Sequence, residues 1–226
     1  MKRLILFMTG ILLLSGYSQR SYAQSESGAI KAAQNDLQTM LNQIPVGQLE
    51  GFGFHSRAEF ATATIGKPYR MLGLNSEFYK GSMPIRVPVV TNGKNDRPFN
   101  NSVIVTQDQW RVPVLVNGQQ RMLLTVSYTN GVYETVDMGA AGLANELQEK
   151  SRASDANNQY CLLRIYPLEA DLFVEYNGSS FDNAKITPLY SATMSMPVLN
   201  EMGTAPLAPL DIMWIIKEAL DNHKNN

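Results

Sequence analysis

Between Ala29 and Ile44 apolar residues recur every three or four positions, at Ile30, Ala33, Leu37, Met40, Leu41 and Ile44, with Lys31, Gln34, Asn35 and Gln38 between them. That period predicts an amphipathic helix, closed by Pro45 and Gly47. Ser56 and Glu59 stand in the S-x-x-E spacing of a capping box and predict a second, short helix, with Gly66 and Pro68 as its stop. The box explains Glu59 better than a catalytic acid beside His55 does. The helical period returns over Ala140 to Ser151, where Leu143, Ala144 and Leu147 oppose Glu146, Glu149 and Lys150. It returns again over Pro209 to Asn222, with Leu210, Met213, Ile216 or Lys217, and Leu220 on one face and Trp214 beside it. Pro209 and Asp211 suit the positive end of that helix, and His223 and Lys224 the negative end.

From Pro68 onward the pattern shortens to strand-like runs of Val, Ile, Leu, Thr and Tyr, punctuated by Asn-Gly at 92/93, 117/118, 130/131 and 177/178. Asn-Gly favours type I′ hairpins because both residues tolerate positive φ. A two-residue loop at Asn117-Gly118 sets Val116 against Gln119, Val114 against Arg121, Val112 against Leu123 and Trp110 against Thr125. A second loop at Asn130-Gly131 sets Tyr128 against Tyr133. The expected meander is therefore Trp110 to Val116, Gln119 to Tyr128 and Val132 to Asp137. Further strands are expected at Tyr160 to Tyr166, Asp171 to Tyr176 and Ile186 to Tyr190.

Arg86-Val87-Pro88-Val89-Val90-Thr91-Asn92-Gly93 is echoed by Arg111-Val112-Pro113-Val114-Leu115-Val116-Asn117-Gly118. A proline cannot donate to a ladder, so Pro88 and Pro113 are expected at edges or bulges, with a central position disfavoured. Strands grouped mid-chain with helices at the ends predict an α+β fold with an antiparallel sheet of Asn-Gly hairpins, an N-terminal helix, one mid-chain helix and a C-terminal amphipathic helix. One mature domain over 24–226 and two small units divided near 151–158 both fit this order.

The first residues carry a different signal. Lys2 and Arg3 precede an apolar run from Leu4 to Leu14, and Ser21-Tyr22-Ala23 places small residues at the −3 and −1 positions of a signal-peptidase site. A signal peptide over 1–23 is expected, with the mature chain beginning at Gln24. Ser18, Gln19, Arg20 and Ser21 close the run short of the about 20 residues that a spanning helix needs. Leu14-Ser15-Gly16 precedes Tyr17 where a lipoprotein would carry cysteine, so no acyl anchor is expected. Cys161 is the sole cysteine of the 226 residues, which precludes an internal disulfide. A short signal and a lone cysteine fit a bacterial periplasmic or secreted protein, with no membrane insertion once the signal is removed.

Removing residues 1–23 takes away three bases and no acid, leaving 16 Lys and Arg against 20 Asp and Glu, so the formal charge moves from −1 to −4. Without a basic stripe, nucleic-acid binding is set aside.

Templates for chemistry are missing. There is no G-x-S-x-G elbow, no phosphate-cradling glycine pattern, no H-E-x-x-H and no C-x-x-C, and the two histidines are His55 and His223. Thr91 to Asn101, with Asn92, Asn95 and Asp96, has the composition of a turn before that of a cation site. No metal and no cofactor is expected. Cys161, between Tyr160 and Leu162, is expected to be a small buried hydrophobe and not a nucleophile. Glu169, Asp171 and Glu175 share a strand face, the arrangement from which a carboxylate hydrolase of cell-wall or extracellular polysaccharide would be built. The alternate Ala170, Leu172, Val174 and Tyr176 point instead to a half-buried strand whose acids are solvated.

Aromatic residues carry the remaining clue. Phe52, Phe54, Phe60, Tyr69, Phe78 and Tyr79 crowd one region, and the phenylalanines read as core. Met194, Met196, Met202 and Met213 read as core filler or an adaptable surface. Tyr128 and Tyr133 at a hairpin tip suit recognition of a protein, peptide or glycan, since tyrosine offers amphipathic area at little entropic cost. The expectation is an exported, non-catalytic binding or envelope-assembly protein that uses Tyr128 and Tyr133, with the hydrolase as the alternative.

Overall fold

The computed structural model describes residues 20–81, 90–91, 94–95, 103–154, 158–177, 184–203 and 205–224. Most of the predicted signal peptide, Pro88, most of the stretch 91–101, residues 155–157 and Gly178 lie outside the described residues. The fold is mixed α and β with a mostly antiparallel sheet. Helix α1 (Arg20–Gln43) is followed by three 3-10 turns, Val46–Gln48, Glu50–Phe52 and Arg57–Thr62, then strands β1 (Thr64–Ile65) and β2 (Tyr69–Leu74) and the single turn α2 (Ser76–Tyr79). Next come the short pair β3 (Val90–Thr91) and β4 (Lys94–Asn95), and the meander β5 (Ile104–Val116), β6 (Gln119–Thr129) and β7 (Val132–Gly139). Helix α3 (Ala141–Ala153), β8 (Gln159–Ile165), the 3-10 turn Tyr166–Leu168, β9 (Ala170–Tyr176) and β10 (Lys185–Pro188) follow, and α4 (Tyr190–Ser195), α5 (Val198–Glu201) and α6 (Pro209–Lys224) end the chain. Helix α1 starts before the expected Ala29, so the predicted cleavage point after Ala23 falls inside it.

Eight strands form one sheet in the order β10-β9-β8-β2-β5-β6-β7, with β1 also along β5. Its centre holds one parallel pair, β2 with β8, which joins the first half of the chain to the second. On β2, β6, β8 and β9, residues on opposite faces enter different cores. Met122, Leu124 and Val126 of β6 pack with Ala29, Ala33, Leu37 and Leu41 of α1 and with Ile44 just after it. Leu123, between them, packs with Ala144 and Leu147 of α3 on the other face. On the α1 side the layer is continued by α6, whose Ile212, Met213, Ile216 and Leu220 cover Leu72, Leu163, Leu172 and Val174. Each fully buried Leu or Ile in these layers contributes about 1.5–3 kcal/mol.

Two departures from the expected hairpins shape the molecule. Val116 lies opposite Gln119, but Val114 then faces Met122, Val112 faces Leu124 and Trp110 faces Val126. Arg121 is the extra residue of a β-bulge, so the expected partners Arg121, Leu123 and Thr125 are each displaced by one. Every side chain past the bulge changes face relative to its partner strand. Pro113 also departs from expectation, because β5 is central, with β6 on one side and β1 and β2 on the other. The Gly66 N–H donates to the Pro113 carbonyl at 2.8 Å. N and C=O of one strand residue point the same way, so the proline nitrogen faces the break at Gly66–Pro68 between β1 and β2, where the ladder is already interrupted.

The segment after Ser56 is a 3-10 helix, and the Ser56 side chain makes no cap. Glu59 accepts from the His55 backbone N–H at 2.7 Å, one residue before the Ser56 N–H that the box would use. Its other carboxylate oxygen meets Arg121 Nη2 at 2.8 Å, which ties this turn to the bulge of β6. On the opposite face, Gln120 donates to the Tyr69 hydroxyl and Gln148 of α3 donates to the Gly118 carbonyl, both at 2.9 Å, which fixes α3 against the hairpin end.

Candidate functional site

The β6–β7 hairpin turns at Asn130 and Gly131, with φ of 53° and 87°, and Tyr128 stands opposite Tyr133. Residues flanking a two-residue loop exchange both backbone bonds, so Thr129 and Val132 are the bonded pair and Tyr128 and Tyr133 the next, non-bonded one. Non-bonded partners bring side chains closest, and the two ring centroids are 4.6 Å apart with planes inclined by 42°. Tyr133 also meets Trp110 at 5.4 Å, and the Arg70 guanidinium lies 5.1 Å from the Trp110 ring centroid. The stack Arg70–Trp110–Tyr133–Tyr128 thus runs from the buried sheet to solvent. Trp110 is buried and Tyr128 is 38% exposed.

Local backbone places these groups. Without the bulge at Arg121, Trp110 would pair with Thr125 and lie on the face opposite Tyr128. With it, Trp110 pairs with Val126 and shares the tyrosine face. Gly28 of α1 lets the Tyr133 ring lie flat on the helix, since a Cβ there would stand 2.3 Å from Tyr133 Cε2. Burial raises the Tyr133 hydroxyl above its ordinary range, helped by Tyr128 and Asp108 and opposed by Arg70, so it stays a neutral donor. Between β2 and β5 the register passes from Arg70–Trp110 to Leu72–Thr106, so that Met71 alone spans Gln107, Asp108 and Gln109. This wide bulge leaves an open depression of about 250 Å³ lined by Gln107, Asp108, Gln109, Ser127, Tyr128 and Thr129. Gln109 Nε2 donates to Ser127 Oγ at 3.1 Å on its floor.

The strand acids do not gather. Glu169 is exposed in the turn before β9, at φ 50°, and Glu175 accepts from Asn158 Nδ2 at 2.5 Å. Asp171 is not solvated but buried, at 4% exposure, paired with Arg164 Nη1 at 2.5 Å and reached by Ser191 Oγ at 3.3 Å. Burial raises its carboxyl above the ordinary range, against the lowering effect of Arg164 and Ser191. Both faces of β9 are covered, Phe173 being as buried as Leu172, which is why the alternating pattern failed to describe it. Asp171 and Glu175 are four strand positions apart, about 13 Å along the backbone at 3.3 Å per residue, and Glu169 stands outside the strand in the turn before it.

Cys161 is buried, and desolvation pushes its thiol up to about 11 despite a 3.7 Å contact with the Tyr176 hydroxyl. Phe54, Phe60, Tyr69 and Phe78 lie in the cores, as do Met196 and Met213, whereas Met194 and Met202 are exposed. Among the described residues no group of three or more His, Cys, Asp or Glu is placed to hold a metal ion. No helix among them is long and apolar enough to cross a membrane.

Sequence reasoning singled out Tyr128 and Tyr133 but missed Arg70, Trp110 and the Gln107–Gln109 bulge. An exposed tyrosine on a rigid aromatic stack beside a polar depression can hold an amphipathic group by its ring while the amides and Asp108 take hydrogen bonds. No protein family, no characterised protein and no solved structure matches the chain.

Proposed function

We propose that the protein is exported, loses its leader after Ala23, and acts outside the cytoplasm as a non-catalytic binding protein that holds its partner at the Tyr128–Tyr133 tip. The observation that carries this reading is the partial exposure of Tyr128 on a stack anchored by buried Trp110. A ring already fixed by its neighbours loses little entropy on binding, and the adjoining depression offers polar partners to the same ligand. In this reading the Asn-Gly turns serve to hold the tip in register, and the mature chain acts as one body. Export accords with the cationic start, apolar run and small residues before Gln24.

Two measurements test it. Mass spectrometry of protein isolated from its natural host should find Gln24 at the N-terminus and the protein outside the cytoplasmic fraction. Retained Met1 in a cytoplasmic protein would refute export. In pull-downs from the host envelope, Tyr128→Ala should keep the wild-type melting temperature yet lose the captured partner by tenfold or more. Adding Tyr133→Ala should also cost stability, because that ring fills space against Gly28 and Trp110. Equal capture by wild type and Tyr128→Ala would remove the tip from consideration.

A further inference from the structure

We propose that β7 is a docking edge, and that the partner adds an extended, basic segment to the sheet as a further strand beside the tyrosine tip. This rests on the reading of that tip as the binding surface and gives the partner a chemistry.

β7 ends the sheet order, so one side of it has no strand neighbour among the described residues. Its pairing with β6 decides which backbone groups are free. Thr129–Val132 and Ser127–Glu134 are the bonded pairs, so Tyr133 and Thr135, opposite Tyr128 and Val126, direct their N–H and C=O groups away from β6. No other backbone group among the described residues takes them up. Proteins usually guard such edges with lysine or proline. β7 reads Val-Tyr-Glu-Thr-Val-Asp-Met-Gly and has neither, its one irregularity being the bulge at Val136.

Side chains name the occupant. Val132 and Val136 are each 53% exposed, and Glu134 is exposed between them. Asp137 is 67% exposed, with Arg111 3.9 Å away, and Glu134 makes no ion pair among the described residues. A second copy pairing along this edge would gather four carboxylates with no lysine or arginine from either β7, and like charges across a ladder destabilise it. A segment with Lys or Arg at alternate positions reverses that sign and leaves its other face for apolar contact with Tyr133. Main-chain bonds would then give affinity, and the Glu134–Asp137 face and the tyrosine tip would give selectivity.

The test uses the mature chain and a fluorescein-labelled octapeptide of alternating Lys and Val, followed by anisotropy. Saturable binding is expected, at least tenfold weaker for the alternating Glu and Val peptide, for the Lys-Val peptide N-methylated at its two central residues, and for Glu134→Lys. Thr135→Pro removes an outward N–H that β6 does not use, and should weaken binding by the same factor. The N-methylated peptide makes the same point on wild-type protein if that variant does not fold. No saturable binding, or binding indifferent to N-methylation, overturns strand addition. Self-association of the wild type in sedimentation that Thr135→Pro abolishes would assign the edge to a second copy and overturn it too. Loss of host-partner capture in Tyr128→Ala alongside peptide binding indifferent to Thr135→Pro would sink the edge and leave the tip standing. The converse pattern would sink the tip alone.

Discussion

Cys161 illustrates how position on the sheet settles the chemistry of one side chain. It lies in a core strand, and burial lifts its thiol to about 11, so almost none is thiolate at neutral pH. Native protein is expected to react with dithiobis(nitrobenzoate) at less than a hundredth of the rate of the denatured chain, which absorbance at 412 nm would follow. Burial of this residue was legible because its neighbours in sequence are apolar. Asp171 was not legible, since nothing near it in sequence announces that α3 and α4 cover the second face of β9. Its partners Arg164 and Ser191 come from β8 and α4, and only the fold brings them together.

Among the elements, the 3-10 turn Arg57–Thr62 depends on Glu59. Burial alone would raise that carboxyl, but the His55 backbone N–H, Arg121 and the Ser56 backbone N–H outweigh it and leave the group below its ordinary range. A lowered folded pKa stabilises the protein above the unfolded value of about 4.3. The advantage disappears as pH falls through the folded value. Glu59→Gln is therefore expected to cost about 1–3 kcal/mol in urea unfolding at pH 7. The gap to wild type should close steadily below about pH 4. A gap that stays constant down to pH 3 would mean that the carboxylate charge is not what holds this turn. Periodic segments such as α1, α3 and α6 were readable because a single face faces a single core. The bulges at Arg121, at Gln107–Gln109 and at Val136 were not, because Val, Gln and Arg at those places carry no local mark of the extra residue. Those bulges build the candidate site: one turns Trp110 toward the tyrosines and another opens the depression beside them.

Across the whole molecule, helices α1 and α6 lie on one face of the sheet and α3 on the other, with β7 at the open end. The central neighbours β2 and β8 are some ninety residues apart in the chain, whereas the meander beside them is built from adjacent segments. Loop closure over such a span must be met before its contacts form, so the meander is the natural early structure and the β2–β8 seam a late one. A chain emerging N-terminus first cannot complete its middle until residue 165 has appeared, and until then Met71 and Leu72 have no lateral neighbour on that side. Closure of the β2–β8 seam is therefore expected to be the last step of folding, taken only once the later half of the chain has been made.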